Sequence, residues 1–178
     1  MVQMIDILKS KKAIDIIEYF IENQGTELYQ SEISRKLKIS RNTIFKWLKI
    51  LSEKNLLKMR ISGKAKYFKL NRDNVIVKQI KILINVAKLS EIFKDVKGVE
   101  VYLYGSVAKG EDDKKSDIDL LIIGKMERKE LIKVVESAGK ILKREVKSLV
   151  LTPLEYAELS RKDKVLYENI EKNKIRLL

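Results

Sequence analysis

The chain of 178 residues contains no cysteine and no histidine. Their absence excludes disulfides, Ser-His-Asp and Cys-His catalysis, and metal sites built on thiolate or imidazole ligands. Any metal must therefore be held by oxygen ligands, as Mg²⁺, Mn²⁺ and Ca²⁺ are. A general base would have to be a carboxylate, a lysine or a tyrosine.

Proline occurs once and glycine seven times, so we expect helical rather than flexible linkers. The sequence has no apolar run of about 18 residues, which predicts no transmembrane helix. Residues 1–15 contain acids within their apolar part and lack the apolar core of a secretory signal. We therefore expect a soluble cytoplasmic protein that does not insert into a membrane.

Positive charge is in excess, with 38 Lys and Arg against 25 Asp and Glu and a formal net charge of +13. Residues 1–75 carry 16 basic and 8 acidic side chains, a net of +8, and the remainder carries 22 and 17, a net of +5. Such an excess favours a polyanionic partner, with nucleic acid first and an anionic membrane surface second. The N-terminal part is the more basic per residue.

Residues 1–75 show an order of helices followed by a hairpin. Apolar residues at helical spacing predict a helix from Ser10 to Asn23, and a short helix is expected over 30–37. Ser40 is a predicted N-cap for a further helix from Arg41 to Lys54. Two β-prone runs joined by Ser62-Gly63-Lys64 then predict a β-hairpin.

This order, and the segment SEISRKLKISRNTIFKWLKILSEKNLLKMRISGKAKYFKLN, resemble the winged helix-turn-helix family. Asn55 stands where many members have glycine, a mild departure because asparagine tolerates a left-handed backbone. The resemblance implies that the second helix of the motif enters the major groove of double-stranded DNA and that the hairpin is the wing. The expected DNA-binding residues are Ser40, Arg41, Asn42, Thr43 and Lys46 in the helix, and Arg60, Lys64 and Lys66 in the wing. The alternative is a solvated face of a protein-binding winged helix.

The second part of the chain begins with a long predicted helix from Asn71 to Val96. Its predicted buried face consists of Ile76, Ile80, Leu83 and Ala87, and its other sides carry apolar residues as well. We expect this helix to be buried, either between domains or in a dimer seam. Strands and helices then alternate, with strands predicted over 99–104, 116–124 and 145–151 and helices over 127–143, from Thr152 onward and over 163–173.

Gly105-Ser106 follows the first of these strands, and Asp117-Ile118-Asp119 lies in the second. Residues i and i+2 of a strand point to one side, so Asp117 and Asp119 are expected to project together. Two neighbouring buried carboxylates repel each other unless a cation lies between them. Gly105 would let a phosphate approach the backbone, and Ser106 offers a hydroxyl and an N–H at a helix start. These features predict a site for Mg²⁺ with ATP or another nucleoside triphosphate, with Lys109 near the phosphates.

Gly-Ser, ten residues and then Asp-x-Asp, with apolar strands on both sides, resemble the nucleotidyltransferase fold of the DNA polymerase β superfamily. The similarity covers roughly residues 97–155 and is greatest to the minimal, antitoxin-like branch. It implies two-metal nucleotidyl transfer, with Asp117 and Asp119 as catalytic and metal-binding residues and a third carboxylate on a later strand. That acid falls at Lys147, which cannot bind a metal, and Glu145, about 6.6 Å along the strand, is a poor substitute. We therefore expect Lys147 to pair with Asp117 or Asp119 and to take the place of a metal.

The sequence thus predicts an α+β protein of two domains. Residues 1–72 form a winged helix, 73–96 a linker or dimerisation helix, and 97–178 a nucleotidyltransferase-like domain with a mixed sheet. We interpret the chain as a homodimeric, DNA-binding transcriptional regulator whose second domain can bind Mg-nucleotide but is weakly active or inactive. Two alternatives stay open. One is an active Mg-dependent nucleotidyltransferase that moves AMP to a protein or small-molecule hydroxyl, and the other is an antitoxin-like partner of a small helical toxin.

Overall fold

The computed structural model describes residues 3–63 and 65–178, apart from the side chain of Arg128. The chain divides into two compact units, the first ending at Val77 and the second beginning at Lys78. Lys64, expected to contact DNA from the wing, lies outside the described residues. None of the helices in the described ranges combines the length and the apolar character needed to span a bilayer.

The first unit has the order and sheet of the predicted winged helix. Its antiparallel sheet has the strand order β1-β3-β2. The sequence did not predict helix α1, which adds the fully buried Ile7 to the core. The elements are α1 (Met4–Lys9), α2 (Lys11–Glu22), β1 (Leu28–Tyr29), α3 (Gln30–Leu37), α4 (Arg41–Glu53), β2 (Leu57–Ser62) and β3 (Ala65–Leu70).

Local signals in the sequence set both ends of α4. The Thr43 N–H donates to Ser40 Oγ at 3.3 Å, which confirms Ser40 as the N-cap. After α4, Asn55 has a φ of +59°, the left-handed conformation expected there. The apolar stripe of α4 faces inward and buries Ile44, Leu48 and Leu51. The opposite side of the helix is therefore left for contacts outside the unit.

Helix α5 (Val75–Phe93) starts within three residues of the end of the first unit and continues into the second. The later elements alternate as predicted, with a mixed sheet of order β6-β5-β4-β7 in which only β5 and β6 are parallel. The short strand β7 pairs antiparallel with β4 near the C-terminus. The elements are β4 (Val99–Tyr104), α6 (Gly105–Ala108), β5 (Ile118–Gly124), α7 (Arg128–Leu142), β6 (Val146–Leu151), α8 (Pro153–Lys162), α9 (Lys164–Asn173) and β7 (Ile175–Arg176).

Alternation along the strands separates the face of this sheet that packs against α5 and α7 from the face that carries Asp119. The packed face forms a single core with residues of α5 and α7, namely Leu89, Phe93 and Ala138 against Val101, Leu103, Ile118, Leu120 and Ile122. On the other face, Asp119 is the direct neighbour of Tyr104 on one side and of Lys147 on the other. The sheet thus brings the predicted polar residues together on the face away from this core.

The predicted buried face of α5 is wrong in part. Leu83 is 65 % exposed and Ala87 is exposed, whereas the buried stripe recurs every four residues. That stripe consists of Val77, Lys81, Asn85, Leu89 and Phe93. Two of its members are polar, so a search for apolar periodicity selects a different side of the helix. Asn85 is accommodated because its side-chain amide donates to the Lys81 carbonyl at 2.9 Å.

Candidate functional site

Asp119, the second acid of the Asp-x-Asp motif, lies beside the Gly-Ser turn. A Cβ atom built on Gly105 would lie 2.4 Å from Asp119 Oδ2, and Gly105 has a φ of +75°. Only glycine satisfies both conditions, because a side chain would be strained in this conformation and would collide with the carboxylate. β5 begins at Ile118, so Asp117 precedes the strand rather than lying within it.

Lys147 places a cation on this acid pair. Its Nζ lies 2.5 Å from Asp117 Oδ2, which confirms the predicted ion pair with one of the two acids, and its backbone lies opposite Asp119 in the sheet. The hydrogen bond that Lys147 donates to Asp117, followed by the negative charge of Asp117, raises the pKa of Lys147. The Lys147 side chain is 58 % exposed and that of Asp117 is 31 % exposed, so the pair is accessible to solvent. A charged ammonium therefore occupies the position at which the resemblance implies a third carboxylate.

Asp119 is partly buried, and this burial affects its pKa. Burial raises its pKa, and the nearby charge of Asp117 raises it further, whereas Lys147 and Arg144 act in the opposite direction. Burial also raises the pKa of Tyr104, with a smaller contribution from the charge of Asp119. Lys147 and Arg144 therefore offset only part of the cost of ionising Asp119 at this site.

The side chains of the site do not fit a resident pair of divalent metal ions. Within residues 3–63 and 65–178, no group of three or more acidic side chains could hold a metal. The two acids face an ammonium group, which donates hydrogen bonds and has no lone pair for a metal. A Mg²⁺ ion needs near-octahedral oxygen coordination, and it would compete with Lys147 for Asp117 Oδ2.

The turn expected to hold phosphate is short. Helix α6 has four residues, so its dipole is small and any anion would be held mainly by backbone N–H groups. The Ser106 carbonyl accepts from the N–H groups of Lys109 at 3.2 Å and Glu111 at 3.0 Å, which closes the turn. Ser106 is half-buried and Lys109 is exposed. Gly105, Ser106 and Lys109 thus lie on one turn next to Asp119.

A buried ionic cluster that the sequence analysis missed supports this site. Lys81 Nζ lies 3.0 Å from Asp112 Oδ1 and donates to the carbonyls of Gly110 at 3.1 Å and Asp112 at 2.6 Å. Arg144 donates to Asp112 Oδ2 at 2.8 Å and, through Nε, to the Ser116 carbonyl at 2.8 Å. Lys81 is fully buried and Asp112 is 1 % exposed.

This cluster fixes the segment that delivers Asp117. Gly110 and Asp112 are bound at the start of the segment, and Ser116 at its end is held by Arg144. Lys81, Asp112 and Arg144 therefore act as positioning residues for Asp117. The sequence contains one signal for this cluster, because Lys81 lies in a repeat of every fourth residue whose other members are mostly apolar. A charged residue in a buried stripe requires a buried partner.

The first unit presents the residues predicted to contact DNA on α4 and the wing. Arg41, Asn42 and Lys46 are exposed on α4, Thr43 is half-buried, and Lys66 is exposed on β3. The hydroxyl of Ser40 lies 2.9 Å from Thr43 Oγ1, so both groups take part in the cap.

Arg60 is a predicted wing cation whose charge is paired within the first unit. Its Nε and one terminal nitrogen donate to the two carboxylate oxygens of Glu27 at 3.0 and 2.6 Å. Its guanidinium also lies 4.5 Å from the centre of the Tyr67 ring. A phosphate would therefore compete with Glu27 for Arg60.

Two family profiles match the chain. Residues 86–177 match the family described as "Nucleotidyltransferase domain", and residues 12–68 match the one described as "HTH domain". Among solved structures, a crystal structure of a toxin-antitoxin with AMP-PNP is 18 % identical, covers 53 % of this chain and 73 % of that chain, and has a TM-score of 0.40. A crystal structure of a candidate nucleotidyltransferase from Sulfolobus solfataricus is 25 % identical, covers 56 % of this chain and 84 % of that chain, and has a TM-score of 0.32. No curated protein matches the chain.

Proposed function

Because this chain belongs to the family of nucleotidyltransferase domains and carries an HTH domain ahead of the matched region, we propose that it is a DNA-binding transcriptional regulator whose second domain has little or no transferase activity. The observation that carries the proposal is the ammonium of Lys147 on Asp117, beside Asp119. We infer that it takes the place of a catalytic metal.

An ammonium can neutralise the acid pair, but it cannot perform the chemistry that a metal supplies. A bound divalent ion polarises phosphoryl oxygens and orients the attacking group. Lys147 carries a single charge and only donor hydrogens, so it can relieve the repulsion between Asp117 and Asp119 without coordinating a nucleophile. The consequence is a domain whose acids are stable in the folded state but poorly placed to activate a hydroxyl.

Nucleotide binding is the part of the family's function that this site can retain. We infer that the phosphates bind to backbone N–H groups at the start of the turn that carries Gly105, Ser106 and Lys109, since Asp119 fills the space where a side chain of residue 105 would lie. We propose ATP or another nucleoside triphosphate as the ligand, with any Mg²⁺ arriving on the phosphates rather than residing on the acids. Calorimetric titration with ATP, in the presence and absence of Mg²⁺, measures this binding directly.

Label transfer from radiolabelled ATP separates the proposal from its alternatives. We expect no transfer by the wild type and specific DNA binding that Asp117→Asn leaves unchanged. Transfer that is abolished by Asp117→Asn would identify an active nucleotidyltransferase instead. Co-purification of a small helical protein would favour the antitoxin-like role instead, in which the basic N-terminal part binds the operator and the second part binds the toxin.

The winged helix is proposed to read DNA through α4. Arg41 and Asn42 suit base edges, whereas Ser40, Thr43 and Lys46, together with the wing cations Arg60, Lys64 and Lys66, suit phosphates. If about six phosphates are contacted, affinity should fall by roughly three decades between 50 and 200 mM salt. A flat salt dependence would contradict DNA binding.

The pairing of Arg60 with Glu27 gives a sharper test of the wing. In Glu27→Gln, Arg60 becomes available to phosphate, so affinity at low salt should rise and the salt slope should steepen by about 0.9. Asp15→Asn, on α2, removes a negative charge from the same unit outside α4 and the wing and serves as the matched control. Equal effects of the two substitutions would exclude a contact between Arg60 and DNA.

We further propose that the regulator acts as a homodimer, as expected for DNA sites with two-fold symmetry. Leu83 is 65 % exposed on α5, and Ala87 lies one turn further on the same exposed side. A second copy of α5 would cover these residues. Sedimentation equilibrium should show a dimer for the wild type and a monomer for Leu83→Arg, and a monomeric wild type would contradict the proposal.

A further inference from the structure

Phe45 is out of place for a core residue of α4. The buried positions of the helix are Ile44, Leu48, Ile50 and Leu51, whereas Phe45 is 47 % exposed. The ring lies on the side of the helix that carries the residues predicted to contact DNA. Packing within the first unit does not account for an aromatic ring in this position.

The surroundings of the ring are cationic and polar. Arg41 and Asn42 precede Phe45 by four and three residues, and Lys49 follows it by four, so all three share its strip of the helix surface. From the wing, Lys66 Nζ lies 5.7 Å from the centre of the ring. A partner that buries Phe45 must therefore offer an apolar group within a negatively charged surface.

The thymine methyl group in the major groove of DNA meets both requirements. It is the apolar group among the base edges of that groove, and phosphates line both sides of it. We propose that Phe45 packs on the methyl group of one thymine in each half-site and so determines specificity for an A·T pair at that position. The inference rests on the proposed DNA binding and adds a base preference that Arg41 and Asn42 do not supply.

The geometry of the helix supports this assignment. Residues 41, 42, 45, 46 and 49 form the exposed side of α4, and 44, 48 and 51 form the buried side. When the exposed side enters the groove, Phe45 lies one turn after Arg41. Lys66, adjacent to the ring, is then placed to meet a phosphate next to the same base pair.

The test begins by selecting duplexes from a random-sequence pool with the full-length wild type at about 100 mM salt. Each thymine of an enriched duplex is then replaced in turn by deoxyuridine, which removes only the methyl group. We expect replacement of one thymine per half-site to weaken wild-type binding about fourfold, the effect of exposing one methyl-sized apolar group. Phe45→Ala should bind both duplexes equally and more weakly than the wild type binds the thymine duplex.

Matched variants make the outcome specific to the ring. Ile61→Ala removes another exposed apolar side chain, from β2, and should keep the fourfold preference for thymine. Circular dichroism of Phe45→Ala should be unchanged because the ring is half-exposed. If no replacement weakens the wild type, or if Phe45→Ala keeps the preference, the assignment of the methyl contact is wrong.

Two further outcomes distinguish a failure of the proposed DNA binding from a failure of the thymine contact alone. If the pool yields no enriched sequence, the proposed DNA binding itself fails and the methyl contact fails with it. If sequences are enriched but Phe45→Ala changes only the oligomeric state, the ring belongs to a protein interface and the DNA assignment is overturned while DNA binding stands.

Discussion

Replacing Asp112 by asparagine removes one negative charge from the buried cluster and leaves the shape of the side chain unchanged. Asp112 is 1 % exposed and lies between Lys81, which is fully buried, and Arg144, which is 13 % exposed. Arg144 can recover part of its hydration in the variant. Lys81 cannot, and its ammonium group would lose the negative charge of Asp112 while neutral acceptors such as the carbonyl oxygens of Gly110 and Asp112 remain.

The expected effect is large. Removing one partner of a buried ion pair costs about 3–5 kcal/mol in the free energy of unfolding, because a buried charge is left without its counterion. For a unit of roughly 100 residues, 1 kcal/mol shifts the melting temperature by about 4–8 °C. We therefore expect Asp112→Asn to lower the melting temperature of the second unit by at least about 12 °C.

Thermal denaturation of the full chain, followed by circular dichroism and calorimetry, measures this shift. Asp113→Asn is the matched control, because it removes the same charge from the adjacent, exposed position. Adding Lys81→Met to Asp112→Asn should recover part of the loss, since the second substitution removes the stranded charge. Equal melting temperatures for Asp112→Asn and Asp113→Asn, or no recovery in the double variant, would refute the role of the cluster.

Two further predictions concern the acid pair itself. In Lys147→Met, the pKa of Asp119 should rise further, because the positive charge that lowers this pKa is removed. NMR titration of the carboxyl group measures the change, and a fall in the pKa of Asp119 would contradict the prediction. The pKa of Asp119 is higher in the folded than in the unfolded state, so the folded protein binds a proton on this group more tightly. The group therefore stabilises the folded state below its ordinary pKa, and this contribution is lost as the pH rises through its folded pKa. Gly105→Ala should destabilise the protein by more than Gly98→Ala, because both glycines have a φ of +75° but only the Cβ at Gly105 meets a neighbouring carboxylate, at 2.4 Å. Urea unfolding of the two variants gives the difference, and equal losses would show that the contact with Asp119 has no cost.

Local sequence patterns were sufficient to predict most elements of the fold. Ser40 and Thr152 were recognisable as caps because their partners lie three residues along the chain. An ion pair of Lys147 with Asp117 or Asp119 was also predictable, because strand alternation and the family resemblance together placed Lys147 on the side of the acids; which of the two acids it contacts, Asp117, comes from the structure. These features depend on short spacings that a single sequence displays.

Contacts between distant parts of the chain were not predictable in this way. Lys81 and Asp112 are 31 residues apart, and Arg60 and Glu27 are 33 residues apart. The local pattern places Lys81 in a mostly apolar repeat but identifies no partner for it, and nothing local distinguishes Arg60 from the other basic residues, of which the chain has 38 with Lys81 and Arg60 included. The buried face of α5 was assigned incorrectly for the same reason, since Lys81 is buried only because Asp112 and two carbonyl groups reach it from another segment.

Release of pyrophosphate from ATP in the presence of Mg²⁺ tests most directly whether Lys147 has taken the place of a catalytic metal. The measurement compares the wild type, Lys147→Asp, and Lys147→Asp combined with Asp117→Asn. We expect release at background level from the wild type, a gain in Lys147→Asp, and a return to background in the double variant. Wild-type release above background that is lost in Asp117→Asn would contradict the replacement of the metal by Lys147.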